Sequence, residues 1–381
     1  MKVAFFSNFL THHQLPFCLE LYKYLGKNFR FIATEAIAEE QKSLGYQDFN
    51  QQMFVVRAYE DAQQYSEALN WANEADVVIF GSAPFFLVQG RLDANKLTYL
   101  YSERIFKRKA KVWKLPVYVY RHYKKYTQHN CFYLLCASAY TSADFAKTFT
   151  FRNKAYKWGY FPAVKRYENF NGLMERKQSA TILWAGRFID WKHPEYVVQV
   201  AERLRADGYE FHVNMLGNGE LQESIAQMIA SKGLQDRVSL LGAMSPEEVR
   251  KYMEKSQIYL FTSDRQEGWG AVLNESMNSG CAVVASDAIG AVPFLMDNQR
   301  NGLIYHSGDV DDLYQKVKYL LDHPEECDRL GTNAYTTMTD TWNAEVAAER
   351  LIDLSEKLLH GEKHPYPYTD GPCSKAEIIK G

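Results

Sequence analysis

The chain has 381 residues, of which 46% are apolar and 24% are charged, and this length suffices for two domains with large cores. Its net charge of -2 argues against a general binder of nucleic acid, and no run of about 18 apolar residues predicts a membrane-spanning helix. The six cysteines are scattered without a C-x-x-C pair, which favours free thiols over zinc or disulfides and predicts a cytoplasmic location.

Short apolar runs alternate with amphipathic stretches along the first half of the chain. The runs that predict buried strands are Lys2 to Ser7, Phe29 to Thr34, Asp76 to Gly81, Leu97 to Ser102 and Phe132 to Ser138. Between them, Leu15 to Leu25 and Ser66 to Ala75 have the periodicity of helices. This alternation predicts βαβ units and a parallel sheet.

The same pattern restarts in the second half of the chain. The predicted strands are Thr181 to Gly186, Phe211 to Gly217, Val238 to Gly242, Ile258 to Ser263 and Ala282 to Ser286, and the predicted helices are Val310 to Leu321 and Asn343 to Leu359. We therefore predict an α/β protein with two doubly wound, Rossmann-like domains.

The composition also predicts where the domains begin and end. The first domain is expected over 1–165, a polar linker over 166–180 and the second domain over 181–335. The remainder, 336–381, is expected to form a C-terminal helix and a tail that packs back on the first domain. The last residues of the tail, from His364, are predicted to be extended or partly mobile.

Two glutamates in the second half are separated by a glycine-rich turn and the start of a predicted helix. Glu267 precedes the turn and Glu275 lies within the helix. The turn consists of Gly268, Trp269, Gly270 and Ala271. A helix start offers unpaired N–H groups and a positive dipole end, which suit a phosphate. The pair therefore suits a nucleotide-sugar, whereas the simpler alternative is a loop acid plus a surface glutamate.

Basic residues follow the predicted strand that begins the second half. This strand runs into Gly186 and Arg187, and Lys192 comes five residues later. Ligands bind at the carboxyl ends of strands in open parallel sheets, and two cations there suit a diphosphate. Two basic residues in an ordinary surface loop are the alternative.

Two further loops of the second half have features of binding loops. Gly217 opens a Gly-Asn-Gly turn, which allows a ligand close to the backbone but is also an ordinary turn. Met244 precedes a predicted helix with Ser245 as N-cap and Pro246 at its first position. The backbone at Met244 is a candidate contact for a nucleotide base.

These motifs, taken in order, resemble those of the family 4 glycosyltransferases (glycosyl transferases group 1), a large retaining class with the GT-B fold. The resemblance covers roughly Thr181 to Ser307 and includes Ala282 to Asp287, Gly290 to Phe294 and Asn301 to Leu303. It implies two Rossmann-like domains that face each other across a cleft. It further implies an enzyme of the kind that assembles bacterial surface polysaccharides.

The resemblance also implies roles for individual residues. In such enzymes an arginine and a lysine hold the donor diphosphate, which matches Arg187 and Lys192. The first glutamate contacts the donor sugar and the second the ribose, matching Glu267 and Glu275, while backbone amides of Trp269 to Ala271 meet the phosphates. No cofactor or bound metal is implied, since these cations and the helix start replace the metal. Retention of anomeric configuration implies that the leaving diphosphate helps to deprotonate the acceptor.

The first half departs from the family pattern in two loops. Family members usually carry a Gly-Gly loop after the first strand, but here the loop contains His12 and His13. These histidines are expected either to approach the acceptor or phosphate, or to cap the following helix. Where many members place a histidine after a middle strand, this chain has Glu103. Glu103 is expected to orient the acceptor hydroxyl or to pair with Arg104.

A strongly basic stretch occupies residues 104–125. It contains nine Lys or Arg residues, no acid, and five interleaved aromatic residues: Phe106, Trp113, Tyr118, Tyr120 and Tyr123. Basic residues beside Trp and Tyr suit an anionic membrane surface. Nucleic-acid binding has a similar composition, but beside a sugar-transfer site we expect the membrane rather than nucleic acid. A solvated helix with its aromatic residues turned inward is the alternative.

The leading functional hypothesis is sugar transfer from a nucleotide diphosphate sugar, with UDP favoured over GDP, to a glycan or polyprenyl-linked hydroxyl. This predicts a peripheral location on the inner face of the plasma membrane. One alternative is a nucleotide-sugar 2-epimerase of the same fold, although Arg187, Lys192 and Glu267 match transferases better. The other is a non-catalytic partner subunit, which the missing glycine loop favours and the complete second-half motifs oppose.

Overall fold

The computed structural model describes residues 1–38, 47–107 and 115–379. The chain divides into two compact units, the first comprising residues 1–163 together with those from 342 onward, and the second Val164–Thr341. The segment 166–180, which the sequence predicts as a linker, lies inside the second unit. It contains a helix, Phe170–Glu175, and the first residues of a strand that begins at Gln178. The return to the first unit comes at Trp342 rather than at residue 336.

The first unit is built on a seven-stranded sheet whose described strand pairs are all parallel. Its strands are β1 Val3–Ser7, β2 Phe29–Ala33, β3 Val55–Arg57, β4 Val77–Phe80, β5 Thr98–Ser102, β6 Phe132–Cys136 and β7 Ala155–Lys157. The order is β3-β2-β1-β4-β5-β6-β7, so the direction of winding reverses between β1 and β4. This doubly wound arrangement confirms the prediction for the first half.

The second unit has a six-stranded parallel sheet of the same kind. Its strands are β8 Gln178–Ala185, β9 His212–Leu216, β10 Val238–Gly242, β11 Ser256–Phe261, β12 Ala282–Ser286 and β13 Leu303–Tyr305. The order β10-β9-β8-β11-β12-β13 reverses between β8 and β11. Strands β3, β7 and β13 were not predicted, because three residues are too few to show a period.

Described helices lie between all pairs of successive strands except β2 and β3, as is typical of a doubly wound fold. Those before residue 164 are α1 Leu15–Leu25, α2 Ala62–Glu74, α3 Phe86–Asp93, α4 Leu115–Tyr126 and α5 Thr141–Ala146. Those of the second unit are α6 Phe170–Glu175, α7 Pro194–Ala206, α8 Gln222–Ser231, α9 Pro246–Lys255, α10 Val272–Asn278, α11 Val292–Leu295, α12 Val310–Asp322 and α13 Pro324–Asp340, and α14 Ala344–Leu359 belongs to the first unit. Short 3-10 helices occur at Gly26–Asn28 and Asp190–Lys192.

Helix α9 begins as the sequence predicts. The Oγ atom of Ser245 accepts a hydrogen bond from the N–H of Glu248, the Glu248 carboxylate accepts from the N–H of Ser245, and Pro246 occupies the first turn. This capping box satisfies N–H groups that have no partner within the helix. The start of α9, and with it the position of the Met244 loop, is therefore fixed by local sequence.

The C-terminal tail lies along the edge of the first sheet. The N–H of Lys157 in β7 donates to the carbonyl of Ser374 at 2.7 Å, and the N–H of Ala376 donates to the carbonyl of Ala155 at 3.1 Å. Cys373 and Ser374 are fully buried. The tail therefore covers β7, which would otherwise be an open sheet edge. Among the described residues, no helix is both long enough and apolar enough to cross a membrane.

Candidate active site

In the second unit, polar loops meet where the winding of the sheet reverses. The loop after β8 carries Gly186, Arg187 and Lys192, and the loop after β11 carries Glu267. Loops on either side of such a switch point diverge and leave a crevice at the carboxyl ends of the strands, where doubly wound folds bind ligands. The sheet order therefore brings together motifs that are far apart in sequence.

Lys192 and Glu267 form an ion pair across this switch point. The Nζ atom of Lys192 donates a hydrogen bond to Oε2 of Glu267, which also accepts from Oγ of Ser263 at 3.1 Å. The two side chains are only 15% and 16% exposed. Shielding from water strengthens the attraction between the charges. A cation and a carboxylate therefore lie side by side at this edge of the sheet.

Hydrogen bonds beneath this pair join the two loops. Thr262 donates through Oγ1 to the carbonyl of Lys192 at 2.5 Å and accepts from Nε1 of Trp184 at 2.9 Å. The N–H of Asp264 donates to the carbonyl of Trp191 at 2.9 Å. Sequence reasoning missed Thr262 and Ser263 as site residues, although their position immediately after β11 was a usable signal.

His193 continues the same loop into helix α7. Its backbone is left-handed, with φ 49°, and its ring stacks on Tyr196 with centroids 4.5 Å apart. Burial by itself lowers the pKa of His193, but a 2.7 Å hydrogen bond to Glu195 and the charge of Asp264 raise it overall. The loop end next to Lys192 therefore carries added positive charge at mildly acidic pH.

Glycines allow the loops after β8 and β9 to approach each other closely. Gly217 has φ +126°, and a Cβ atom there would lie 1.9 Å from the carbonyl oxygen of Gly186. At Gly219, with φ +154°, a Cβ atom would lie 2.5 Å from the carbonyl oxygen of Phe188. The N–H of Gly217 also donates to the carbonyl of Gly242 at 2.8 Å. Only glycine fits at Gly217 and Gly219, and the close approach of the two loops depends on these residues.

The turn after Glu267 leads directly into α10. Gly270 has φ +89°, and Trp269 is buried, with its Nε1 donating to Oδ1 of Asn274 at 2.9 Å. Ala271 is the N-cap of α10. The turn Gly268 to Ala271 thus directs its backbone toward the helix start, while the Trp269 side chain serves as an anchor in the core.

Glu275 lies in the first turn of α10 and is half-buried. Burial raises the pKa of its carboxyl group, and the charge of Arg250 lowers it by a smaller amount. Within the described residues, the Glu275 carboxylate has neither a hydrogen-bond donor nor an ion-pair partner. A half-buried carboxylate with free acceptor oxygens suits a ligand that brings hydroxyl donors.

Arg187 and Met244 occupy the margins of this site. Arg187 is exposed, and its guanidinium lies 5.6 Å from the ring centroid of Trp191 rather than in the Lys192–Glu267 pair. Met244 is partly exposed in the loop between β10 and α9. Both residues remain predicted ligand contacts.

A separate cavity of about 600 Å³ lies in the first unit, at the carboxyl ends of β1, β4, β5 and β6. Its polar lining includes Ser102, Glu103, His13 and Tyr160. Tyr160 donates to Oε1 of Glu103 at 2.6 Å, and Lys107 donates to Oε2. One of the two expectations from the sequence, that Glu103 pairs with its neighbour Arg104, is therefore wrong.

The two histidines of the first loop do not act as helix caps. Gln14 is the N-cap of α1 without a side-chain capping bond, so His12 and His13 do not cap this helix. The His13 ring stacks on Tyr160 at 5.5 Å, and its Nδ1 is buried without a hydrogen-bond partner. Burial, and secondly the nearby charge of His12, lower the pKa of His13 to about 3. Burial also lowers the pKa of His12.

The residues of the basic stretch 104–125 have different environments in the structure. Arg104 is buried, 3.4 Å from Asp144 and over the ring of Tyr140, so it does not face a membrane. Residues 108–114, including Trp113, lie outside the described residues. In α4, Tyr120 and Tyr123 are 66% and 53% exposed, which contradicts the alternative that the aromatic residues all turn inward.

Comparison with known proteins gives an independent assignment. A family model described as glycosyl transferases group 1 matches residues 165–337. The chain is 26% identical over 177 residues to alpha-D-kanosaminyltransferase from Streptomyces kanamyceticus, covering 46% of this chain and 45% of that protein. It is 25% identical over 186 residues to the amylovoran biosynthesis glycosyltransferase AmsK from Erwinia amylovora, covering 48% and 46%. The chain thus spans about half the length of the curated relatives it matches.

A solved structure extends the likeness of fold to both units. The crystal structure of Anabaena Alr3699/HepE in complex with UDP has a TM-score of 0.68 and 15% identity, covering 94% of this chain and all of that one. At this identity the likeness concerns the fold, which is GT-B. Residues 165–337 thus match the glycosyl transferases group 1 family, and both units have the fold of GT-B glycosyltransferases.

Proposed function

We propose that the protein transfers a sugar from a UDP-sugar to a hydroxyl of a glycan or of a lipid-linked acceptor, with retention of anomeric configuration. The observation that carries the proposal is the shielded Lys192–Glu267 pair at the switch point of the second sheet. The family match and relatives named as glycosyltransferases support the same reaction class. They favour transfer over epimerisation.

Each side chain of the pair has a distinct task in this reaction. Negative charge develops on the diphosphate as the bond to the sugar breaks, and the ammonium group of Lys192 stabilises that charge. When the diphosphate binds Lys192 in place of Glu267, the Glu267 carboxylate becomes available to accept hydrogen bonds from hydroxyls of the adjacent sugar. Arg187 lies on the same loop as Lys192 and adds a second cation at the margin.

The other predicted contacts complete a donor site in the second unit. Gly186 and Gly217 bring their two loops together beside the nucleotide, the turn Gly268 to Ala271 offers N–H groups to the phosphates, and Glu275 accepts from the ribose diol. The Met244 loop meets the base. We assign these roles to the predicted second domain, 181–335.

The acceptor is assigned to the cavity of the first unit. Its lining combines the Glu103 carboxylate, the neutral imidazole of His13 and several hydroxyl groups, and no lysine or arginine is among the described residues that line it. Such a lining suits a sugar with free hydroxyls. Glu103, held by Tyr160 and Lys107, orients the acceptor hydroxyl, and the departing diphosphate takes its proton.

A panel of nucleotide sugars tests the reaction. Thermal shifts with UDP, GDP and ADP identify the nucleotide, because a ligand raises the unfolding midpoint according to its affinity. Incubation with the matching nucleotide sugars and an acceptor glycan then separates the three hypotheses. Nucleotide release with a glycosylated product supports transfer. Sugar isomerisation without nucleotide release supports an epimerase, and nucleotide binding with neither product supports a partner subunit.

We also propose that α4 holds the protein on an anionic membrane at the inner face of the plasma membrane. Arg121, Lys124 and Lys125 lie on this helix with the exposed Tyr120 and Tyr123. Each basic residue near such a surface contributes about 1 kcal/mol, and tyrosine suits the headgroup layer. Relatives include an enzyme named for transfer to a diphospho-undecaprenol acceptor.

Vesicle sedimentation tests the membrane contact. Binding is expected to vesicles of phosphatidylglycerol and phosphatidylcholine, to fall with salt, and to be weak on phosphatidylcholine alone. Replacing Tyr120 and Tyr123 with Ser should reduce binding, whereas Tyr24→Ser, an exposed tyrosine of α1, is the matched control. Equal binding to both kinds of vesicle, or equal loss in the control, would contradict the contact.

A further inference from the structure

A second cavity of the first unit lies beside the C-terminal tail. Its volume is about 380 Å³, within the range of roughly 300–1,000 Å³ usual for small-molecule pockets. The walls come from the end of α5, the loop before β7, and the tail. The lining includes Ala146, Phe149, Arg152, Ala376 and Ile378. This cavity contains none of the residues assigned to the donor or the acceptor.

Hydrogen bonds fix the two sides of this cavity against each other. The Oγ atom of Ser142 in α5 donates to the carbonyl of Glu377 at 2.6 Å. On the other side, the hydroxyl of Tyr366 donates to the carbonyl of Asn153 at 2.9 Å. The N–H of Ala376 donates to the carbonyl of Ala155 at the base. The space is therefore a preformed pocket rather than a gap between loose segments.

The mouth of the pocket exposes large apolar side chains. Phe149 is 71% exposed and Ile378 is 64% exposed. Phe149 also has a left-handed backbone with φ 57°, as do Phe151 with 52° and Asn153 with 57°. A phenylalanine in this conformation is strained by roughly 1–3 kcal/mol, and such strain clusters at ligand sites. The loop thus holds an apolar side chain in solvent at an energetic penalty.

The charged residues of the pocket lining are Arg152, Lys375 and Glu377. At the pocket itself, Arg152 is exposed and has no ion pair within the described part of the chain, whereas Lys375 pairs with Glu377 at 3.1 Å. An apolar pocket with an uncompensated guanidinium at its mouth complements a hydrocarbon chain with a phosphate head.

We infer that this pocket binds the hydrocarbon chain of a phosphate-bearing lipid, with the head group on Arg152. The choice of a phosphorylated lipid rests on the proposed function, since a lipid-linked acceptor is such a molecule. Loop 149–153 adjoins α4 through the ring contact of Phe151 with Tyr126, at 5.5 Å. The pocket therefore opens beside the surface that we propose for the membrane and gives it a site for a single lipid.

Titration with decyl phosphate below its critical micelle concentration tests the inference without a bilayer. We expect saturable one-to-one binding by calorimetry, with none for inorganic phosphate at the same concentrations. Shortening the chain should weaken the affinity by about fourfold for each methylene removed, the value for full burial of one CH₂ group. An affinity that does not depend on chain length would overturn the inference.

Substitutions in the pocket lining test whether the lipid binds there. Ala146→Phe fills the cavity from the end of α5 and should weaken decyl phosphate binding at least tenfold. Phe149→Asn should also weaken it, and it cannot unfold the loop through backbone strain because asparagine tolerates the left-handed conformation. Arg152→Gln should weaken decyl phosphate but leave the binding of decyl maltoside unchanged.

The matched control is Met53→Ser, which removes a side chain that is 78% exposed beside β3, at the opposite edge of the same sheet. It should leave decyl phosphate affinity unchanged. Unchanged affinity in Ala146→Phe and Phe149→Asn would exclude this pocket. UDP binding is measured in parallel on every variant. Loss of lipid binding with UDP binding intact supports the lipid site, and failure of UDP binding in the unaltered protein would contradict the proposed function instead.

Discussion

Lys192 and Glu267 are 75 residues apart in sequence, yet the ammonium group of one donates a hydrogen bond to the carboxylate of the other. The contact exists because β8 and β11 are neighbours at the switch point of the second sheet. Thr262 fixes the backbone of Lys192, and Ser263 donates to the same carboxylate oxygen of Glu267. The pair is therefore held in place by the protein's own hydrogen bonds.

The first prediction concerns this pair. Lys192→Ala should lower kcat by about 10²–10³-fold, because the lysine stabilises charge that is greatest in the transition state. Glu267→Ala should lower kcat far more than it weakens nucleotide binding. Steady-state kinetics with the preferred nucleotide sugar, together with calorimetry of the nucleoside diphosphate, separates the two effects.

Lys232→Ala is the control for these variants. It removes a lysine from another ion pair of the second unit, with Glu202 at 2.5 Å, and should leave kcat unchanged. Wild-type turnover in both site variants would contradict the assigned donor site.

The second prediction concerns Glu275 and has two readouts. Glu275→Gln should weaken nucleotide affinity, since the carboxylate accepts from the ribose diol. It should also stabilise the free protein at neutral pH, by about 0.5–2 kcal/mol, the usual range for a single stabilising substitution. The physical reason is that burial without a partner disfavours the ionised carboxyl group.

The stability effect of Glu275→Gln should depend on pH in a defined direction. The folded-state pKa is raised, so ionisation of Glu275 opposes folding above that pKa, and the penalty disappears below the unfolded pKa. The difference in unfolding midpoint between variant and wild type should therefore shrink as the pH falls toward 4.5. A constant difference across pH would show that the carboxyl group is not the cause.

The third prediction tests the close approach of the loops after β8 and β9. Gly217→Ala places a Cβ atom against the carbonyl of Gly186 and should abolish measurable nucleotide binding as well as lower the stability. Gly208→Ala is the control, because Gly208 has φ +82° but open space around it. The control should lose only about 1–2 kcal/mol from the left-handed conformation. Comparison of thermal midpoints and UDP affinities isolates the contribution of the clash.

The fourth prediction concerns His13. Its pKa of about 3 lies below the ordinary value of 6.5, so the unfolded chain binds a proton that the folded chain excludes. This contribution to stability is complete above pH 6.5 and is lost as the pH falls toward 3. Between these limits it amounts to about 1.4 kcal/mol for each pH unit.

His13→Gln removes this titration. The unfolding free energy of the variant should vary less with pH between 6 and 4 than that of the wild type. Equal slopes in urea titrations at several pH values would show that His13 is accessible to protons in the folded protein.

Local sequence was sufficient for much of the fold. Strands β10 and β12 and helix α1 have the bounds that periodicity predicted, and Ser245 caps α9 as expected. These features depend on residues within about one element of each other, such as a capping serine or a run of apolar residues. The three-residue strands β3, β7 and β13 escaped prediction because their existence depends on neighbouring strands that supply hydrogen bonds.

By itself, the sequence determined the likeness to the glycosyl transferases group 1 family, the two doubly wound halves and the residue types at each strand end, because these are carried by local patterns and by motifs in order. The tertiary structure alone decided which of these residues meet. In the folded chain, Lys192 pairs with Glu267. Glu103 accepts hydrogen bonds from Tyr160 and Lys107 rather than pairing with Arg104, which is buried against Asp144. The physical reason is that such contacts follow from strand order and burial, which bring together residues whose separation along the chain carries no local signal.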